Sequence, residues 1–158
     1  MYKKIVHLLQ ENKLHFTTYE HEHVHSSEDA AKVRGTSLEE AAKALVLMTG
    51  SGMLVLCMVA GHRKLDLKKV KELLDEKNVR LADPDLVFEV SGCKVGSVPP
   101  FGNLFDTPLP MYADDELFTR EHIVFSAGSH YHSIRMKAED WAAITKTEIV
   151  SIGTPKVE

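Results

Sequence analysis

Two apolar runs, Ala44-Leu45-Val46-Leu47-Met48 and Met53-Leu54-Val55-Leu56-Cys57-Met58-Val59, are joined by only Thr49-Gly50-Ser51-Gly52. Strands with one exposed face alternate apolar and polar residues, whereas strands covered on both faces read as nearly continuous apolar runs. The short Gly-containing connection makes the two runs neighbours in a hairpin. A chain with this feature has to fold around a sheet in which both strands are central.

The flanking segments predict what surrounds that sheet. Ile5, Leu8 and Leu9 fall at helical spacing, and the helix they mark ends near Asn12. Phe16–Glu20, β-branched and aromatic, predicts a strand. Ser26, three residues ahead of Asp29 and followed by Ala30-Ala31, marks a helix start. Ser37-Leu38-Glu39-Glu40 repeats the capping pattern and predicts a further helix leading into Ala41-Ala42-Lys43.

Leu65 to Glu76 reads as an amphipathic helix, with Val70, Leu73 and Leu74 inward and Lys68, Lys71 and Asp75 outward. Val79–Leu81 predicts a short strand, and Asp83-Pro84-Asp85 opens a helix reaching Val90. Further on, Leu109–Ala113 is extended and Asp114–Phe118 is a turn or short helix. His122–Ser126 and Ser133–Met136 form a strand pair around a polar tip. Ala138–Thr145 is a helix and Glu148–Ile152 a last strand. Irregular alternation with several short hairpins predicts the α+β class: a mixed, largely antiparallel sheet curled into a barrel-like core flanked by helices.

A length of 158 residues predicts one domain, 1–158. No run of 18 apolar residues exists, so a membrane span is excluded, and the start lacks the apolar core of a signal peptide. Two cysteines, Cys57 and Cys93, make no disulfide framework and fit a reducing cytoplasm. The net charge of −4 excludes a general coat for DNA or RNA. Any nucleic-acid contact must come from a local cluster, and the densest basic run is His62-Arg63-Lys64 with Lys68, Lys69 and Lys71.

The segment from Ser91 to Gly102 holds three of the nine glycines and two of the six prolines. Glycine lets a ligand approach the main chain, and Pro99-Pro100 stiffens one wall of the turn. Such a loop is either a rigid connector or a cradle of backbone N–H groups for an anion or oxyanion. His21, His23 and His25 alternate, which on a strand would put them on one face; exposed surface is the reading preferred over a zinc site, and no metal is expected.

Four segments in order resemble the YbaK/ProX-like aminoacyl-tRNA deacylases, which also occur as the editing domain of bacterial prolyl-tRNA synthetases. They are Ala41-Ala42-Lys43-Ala44-Leu45-Val46, with a lysine heading a central strand; Val95-Gly96-Ser97-Val98-Pro99-Pro100-Phe101-Gly102, similar to a G-x-x-x-P loop; Ser126-Ala127-Gly128-Ser129-His130-Tyr131-His132-Ser133-Ile134-Arg135-Met136, similar to a strand–AGS–strand hairpin; and Tyr19-Glu20-His21 with Ser26 and Ala30-Ala31. The order and spacing agree from about Tyr2 to Ile152. Ala44 departs from the pattern, since relatives commonly carry a polar residue after the lysine.

The resemblance implies hydrolysis in trans of the ester joining a wrong, small amino acid to the 3′-terminal ribose of a tRNA, with tRNA-Pro as one candidate. It implies no cofactor or metal, and help for the attacking water from groups on the substrate itself. Taken alone, Lys43 is a strand-end lysine that snorkels to solvent; with the resemblance it holds the terminal phosphate or ribose, or stabilises charge on the ester.

Gly96 is expected to offer its backbone N–H to the ester oxygen as that oxygen gains charge. Ser97 either adds a hydroxyl donor or satisfies the turn; no nucleophile elbow surrounds it. Gly128 completes the catalytic set. His21, Val98, Pro99, Pro100, Ser129 and His132 are the expected substrate contacts, with His132 orienting water or acting as a weak base. Arg63, Lys64 and Lys68 are the expected tRNA contacts, and a synthetase is a further candidate partner. The rival expectation is a non-catalytic module of the same fold that binds a tRNA end, an amino acid or a synthetase.

Overall fold

The structure is a computed structural model that describes residues 1–23 and 26–156. The apolar runs form β2 (Ala42–Thr49) and β3 (Leu54–Ala60), paired antiparallel from Ala42–Ala60 to Met48–Leu54. They lie inside a five-stranded sheet with β5 (Val79–Leu81) beyond β2, and β6 (Met111–Asp114) and β9 (Glu148–Val150) beyond β3. Continuous apolarity has the expected cause. Leu56, Met58 and Ala60 of β3 pack into one core with Phe101, Phe125 and Trp141, while Val55 and Cys57 pack into a second with Val70 and Ile152.

A second, three-stranded sheet has the order β1 (Phe16–Glu20), β8 (His132–Lys137), β7 (His122–Ser129). A two-stranded ladder pairs β4 (Arg63–Leu65) with β10 (Gly153–Pro155). The β3–β6 and β6–β9 ladders are parallel and the other five antiparallel, so the sheet system is mixed and largely antiparallel. Among the described residues these ladders make three sheets and no closed barrel; a parallel bridge between Ala41 and Val124 brings two of them edge to edge.

The helices are placed by their caps and by single buried stripes. In α1 (Tyr2–Glu11), Ile5 and Leu9, one turn apart, are fully buried. In α2 (Ser27–Arg34) the Ser26 hydroxyl accepts the Asp29 N–H at 3.0 Å, and Gly35 ends the helix at φ 70. In α3 (Leu67–Leu74) the Asp66 carboxylate accepts the N–H of Lys68. The fourth helix, α4 (Pro84–Ser91), has proline in its first turn and Gly92 at its end. In α5 (Ala138–Thr145) Trp141 is fully buried.

One predicted helix is a turn. The Ser37 hydroxyl accepts the Glu40 N–H and donates to the Glu40 carboxylate, so the capping box forms, but residues 38–40 only turn. The Ala41 N–H returns to Leu38 O, Gly61 N–H donates to Ala41 O, and Val124 N–H donates to Glu40 O, so strand pairing takes the chain before a helix can propagate.

Candidate functional site

Beside β2 a cavity of about 850 Å³ opens, within the range that holds a ligand of nucleoside size. Its position follows from pairing. Among the described residues, the outer edge of β2 pairs with β5 only from Leu47 to Thr49, and at the other end only the Ala41–Val124 bridge covers it. Val46 O accepts the Ala82 N–H across this edge, so strand alternation turns the N–H and C=O of Ala44 to the same side, into the gap. Ala44 lines the cavity and so turns main-chain polar groups toward it.

Lys43, Gly96 and Val98 line this cavity, as three of the expected site residues. The Lys43 ammonium donates to Arg63 O at 3.0 Å. Burial, then the charge of Lys156, draws its pKa below the ordinary lysine value, with Glu28 acting in the opposite sense. Gly96 has φ +89, and a Cβ added there would stand 3.2 Å from His130 Nε2. The position needs glycine both for its backbone and for the histidine that covers it. Among the described residues neither the Gly96 nor the Val98 N–H has an acceptor.

Ser97, between them, is 2% exposed and turned inward: both its N–H and its hydroxyl donate to Lys94 O, at 2.9 and 2.8 Å. It closes the turn that aims its neighbours and has no donor left for a substrate. Gly128 does not line the cavity either. Its N–H donates to Ser97 O at 3.1 Å, clasping hairpin to loop; its φ is +92, and Met1 packs so close that a Cβ would lie 2.9 Å from the Met1 Cβ. Pro99 and Pro100 are buried behind the turn, where Pro100 O accepts the indole N–H of Trp141 at 2.8 Å.

The two hairpin histidines are placed differently. His132 Nδ1 bonds to Ser129 Oγ at 2.7 Å and its ring stacks on Tyr2, so both residues are held at the hairpin rather than in the cavity. His130 lines the cavity and its ring packs against that of His23, centroids 4.3 Å apart and planes tilted by 39°. A bulge between Ser126 and Ser129 of β7 decides which histidine faces inward. His21 lies off the cavity, its Nδ1 donating to Glu22 O and its Nε2 paired with the Ser133 hydroxyl. β1 ends at Glu20, so the alternation of histidines is not carried by a strand; His25 lies outside the described residues. No group of three metal-ligating side chains gathers among the described residues.

Of the expected tRNA contacts, Lys64 and Lys68 are exposed. Arg63 is half-buried, and its Nε donates at 3.1 Å to Asp114, which is fully buried and also accepts the N–H groups of Ile152 and Gly153. That bond ties β4 to β6 and, through Asp114, to the start of β10, so the Nε edge of the guanidinium is engaged. Cys93 is 2% exposed and burial raises its thiol pKa, the state of an inert thiol. Arg34 and Ser126 also line the cavity and were not singled out by sequence reasoning.

Residues 21–144 match the family described as aminoacyl-tRNA editing domain. The chain is 33% identical over 154 residues to the multifunctional Ser/Thr-tRNA deacylase ProXp-y of Escherichia coli (strain K12), covering 95% of this chain and 91% of that protein. It is 26% identical over 148 residues to a proline–tRNA ligase of Staphylococcus epidermidis, of which it covers 25%. Among solved structures, one described as a candidate trans-editing enzyme for prolyl-tRNA synthetase superposes with a TM-score of 0.86 at 26% identity, covering 97% of this chain and 96% of that one. The structure of the protein APE2540 superposes with a TM-score of 0.87 at 21% identity and supports the fold.

Proposed function

This chain belongs to the aminoacyl-tRNA editing family, and we propose that it is a trans-acting hydrolase of mischarged aminoacyl-tRNA, working as a single domain in the cytoplasm. The named activity of the Escherichia coli relative suggests serine or threonine as the aminoacyl group. The observation that carries the reading is the pair of acceptor-free N–H groups, Gly96 and Val98, on a cavity that also holds Lys43.

In this reading the 3′-terminal ribose enters beside β2 and the ester carbonyl lies against the 96–98 turn. Water attacks the carbonyl carbon, and the oxygen that gains charge accepts from the two N–H groups. These are fixed in advance, because Ser97 is tied to Lys94 on one side and to Gly128 on the other. The C–O bond to the ribose then breaks, and the proton released by water reaches the departing 3′ oxygen, with the neighbouring 2′-hydroxyl as the nearest carrier. His130, against Gly96, is placed to orient the water. Lys43, anchored to Arg63 O, sets the position of the ribose end. No metal or cofactor takes part in this scheme. Lys64 and Lys68 offer the acceptor stem an exposed basic contact.

Time courses of deacylation on a panel of mischarged tRNAs, with Lys43→Ala beside the wild type, test the proposal. Turnover of Ser- or Thr-tRNA by the wild type and its loss in the variant support it. Absence of turnover on every tRNA favours a binding module, and equal rates remove Lys43 from the mechanism.

A further inference from the structure

Arg34 ends α2 and lines the cavity. Its Nε and Nη1 are enclosed and, among the described residues, have no hydrogen-bond partner. The other arginines drawn into the fold have carboxylates: Arg63 pairs with Asp114 at 3.1 Å and Arg135 with Glu40 at 2.9 Å. None of the ion pairs among the described residues includes Arg34. Burial draws its pKa down to about 10, with the Tyr19 phenol acting in the opposite sense, so it is still a cation at neutral pH. A cation withdrawn from water with no counter-charge is costly to keep, and the natural relief is an anion from outside the chain.

The substrate proposed above offers one anion and one cation near its reacting end. The aminoacyl group carries an α-ammonium, which Arg34 repels; the terminal nucleoside carries a phosphodiester on its 5′ side, which Arg34 attracts. Lys43, the other cation of the cavity, already donates to Arg63 O. We infer that Arg34 holds the phosphodiester preceding the terminal nucleoside, and so turns the aminoacyl ester toward Gly96 and Val98. The inference rests on the cavity being the aminoacyl-tRNA site.

Binding of adenosine 5′-(methyl phosphate) and of adenosine to the wild type, Arg34→Gln and Arg34→Lys tests it without requiring turnover. The wild type is expected to prefer the methyl phosphate by on the order of tenfold to a hundredfold, the worth of a charge-assisted hydrogen bond. Arg34→Gln is expected to abolish the preference while binding adenosine as before, and Arg34→Lys to keep part of it. Equal binding of the two by the wild type, no binding of either, or a preference that survives in Arg34→Gln overturns the assignment. So does loss of adenosine binding in Arg34→Gln, which would mark collapse of the cavity. If no mischarged tRNA is hydrolysed yet the preference is present and depends on Arg34, the hydrolase reading falls and the phosphate site stands. Normal hydrolysis without the preference gives the reverse.

Discussion

Replacing Gly96 by alanine separates what the 96–98 turn does for stability from what it does for the reaction. The residue sits at φ +89, a conformation that costs an L-residue about 1–2 kcal/mol. For a domain of this size that corresponds to a loss of roughly 2–8 °C in Tm. The added Cβ would also stand 3.2 Å from His130 Nε2, so the imidazole must shift by a few tenths of an ångström or the turn must rotate. On the proposed mechanism, rotation would carry the Gly96 N–H off the ester oxygen, and loss of one such donor costs on the order of 100- to 1000-fold in rate.

Gly92 supplies the control. It has φ +72, and a Cβ there meets nothing within 4 Å, so Gly92→Ala carries the same kind of backbone penalty four residues away without touching the cavity. Thermal denaturation and kcat/KM for deacylation, measured on both variants, are expected to show similar losses of stability and a rate defect in Gly96→Ala alone. Comparable rate defects in both, or full activity in Gly96→Ala, would refute the reasoning.

Asp114→Ala leaves the Arg63 guanidinium and the N–H groups of Ile152 and Gly153 without their acceptor; chemical denaturation is expected to show a loss of about 3–5 kcal/mol. Burial pushes the Cys57 thiol up to about 12 from 9.0. Between those pH values the unfolded chain has released this proton and the folded chain retains it, so stability is full below 9.0 and falls as pH rises toward 12. Cys57→Val is expected to remove that part of the decline, measured as denaturation midpoint against pH. Lys64→Ala with Lys68→Ala is expected to weaken tRNA binding and flatten its salt dependence; an unchanged slope of log K against log salt removes these lysines from the interface.

Much of the architecture could be read from local pattern. The β2–β3 hairpin, α1, α2, α4 and α5 each carry their own signal in an apolar run, a buried stripe or a cap. β4 and β10 do not. Arg63-Lys64-Leu65 has no alternation, and it is a strand because Gly153–Pro155 returns to it from far along the chain. The Ser37–Glu40 box shows the converse, a correct local signal whose helix is cut off by the long-range pairing of Ala41 with Val124.

In the site, the loop was legible because glycine and proline announce backbone geometry. The donors of Ser97, by contrast, are spent on Lys94 in a way only the closed turn reveals. The choice of His130 over His132 goes with the β7 bulge, whose mark in the sequence is Gly128, at φ +92 inside it. Arg34 had a usable signal: it lies four and three residues after Ala30 and Ala31, both buried, on the inward face of α2. A basic residue in the last turn of a helix is so ordinary that the signal is easily passed over.

The proposed reaction turns on the N–H groups of Gly96 and Val98 receiving the ester oxygen. Its most direct test is to titrate the 15N-labelled protein with an adenosine whose 3′-amino group is amide-linked to serine, a mimic that cannot be hydrolysed as an ester. The Gly96 and Val98 amide resonances are expected to shift most, downfield, as their hydrogens find an acceptor, while Lys94 and Ser97 stay nearly still. Binding that leaves Gly96 and Val98 unmoved would contradict it.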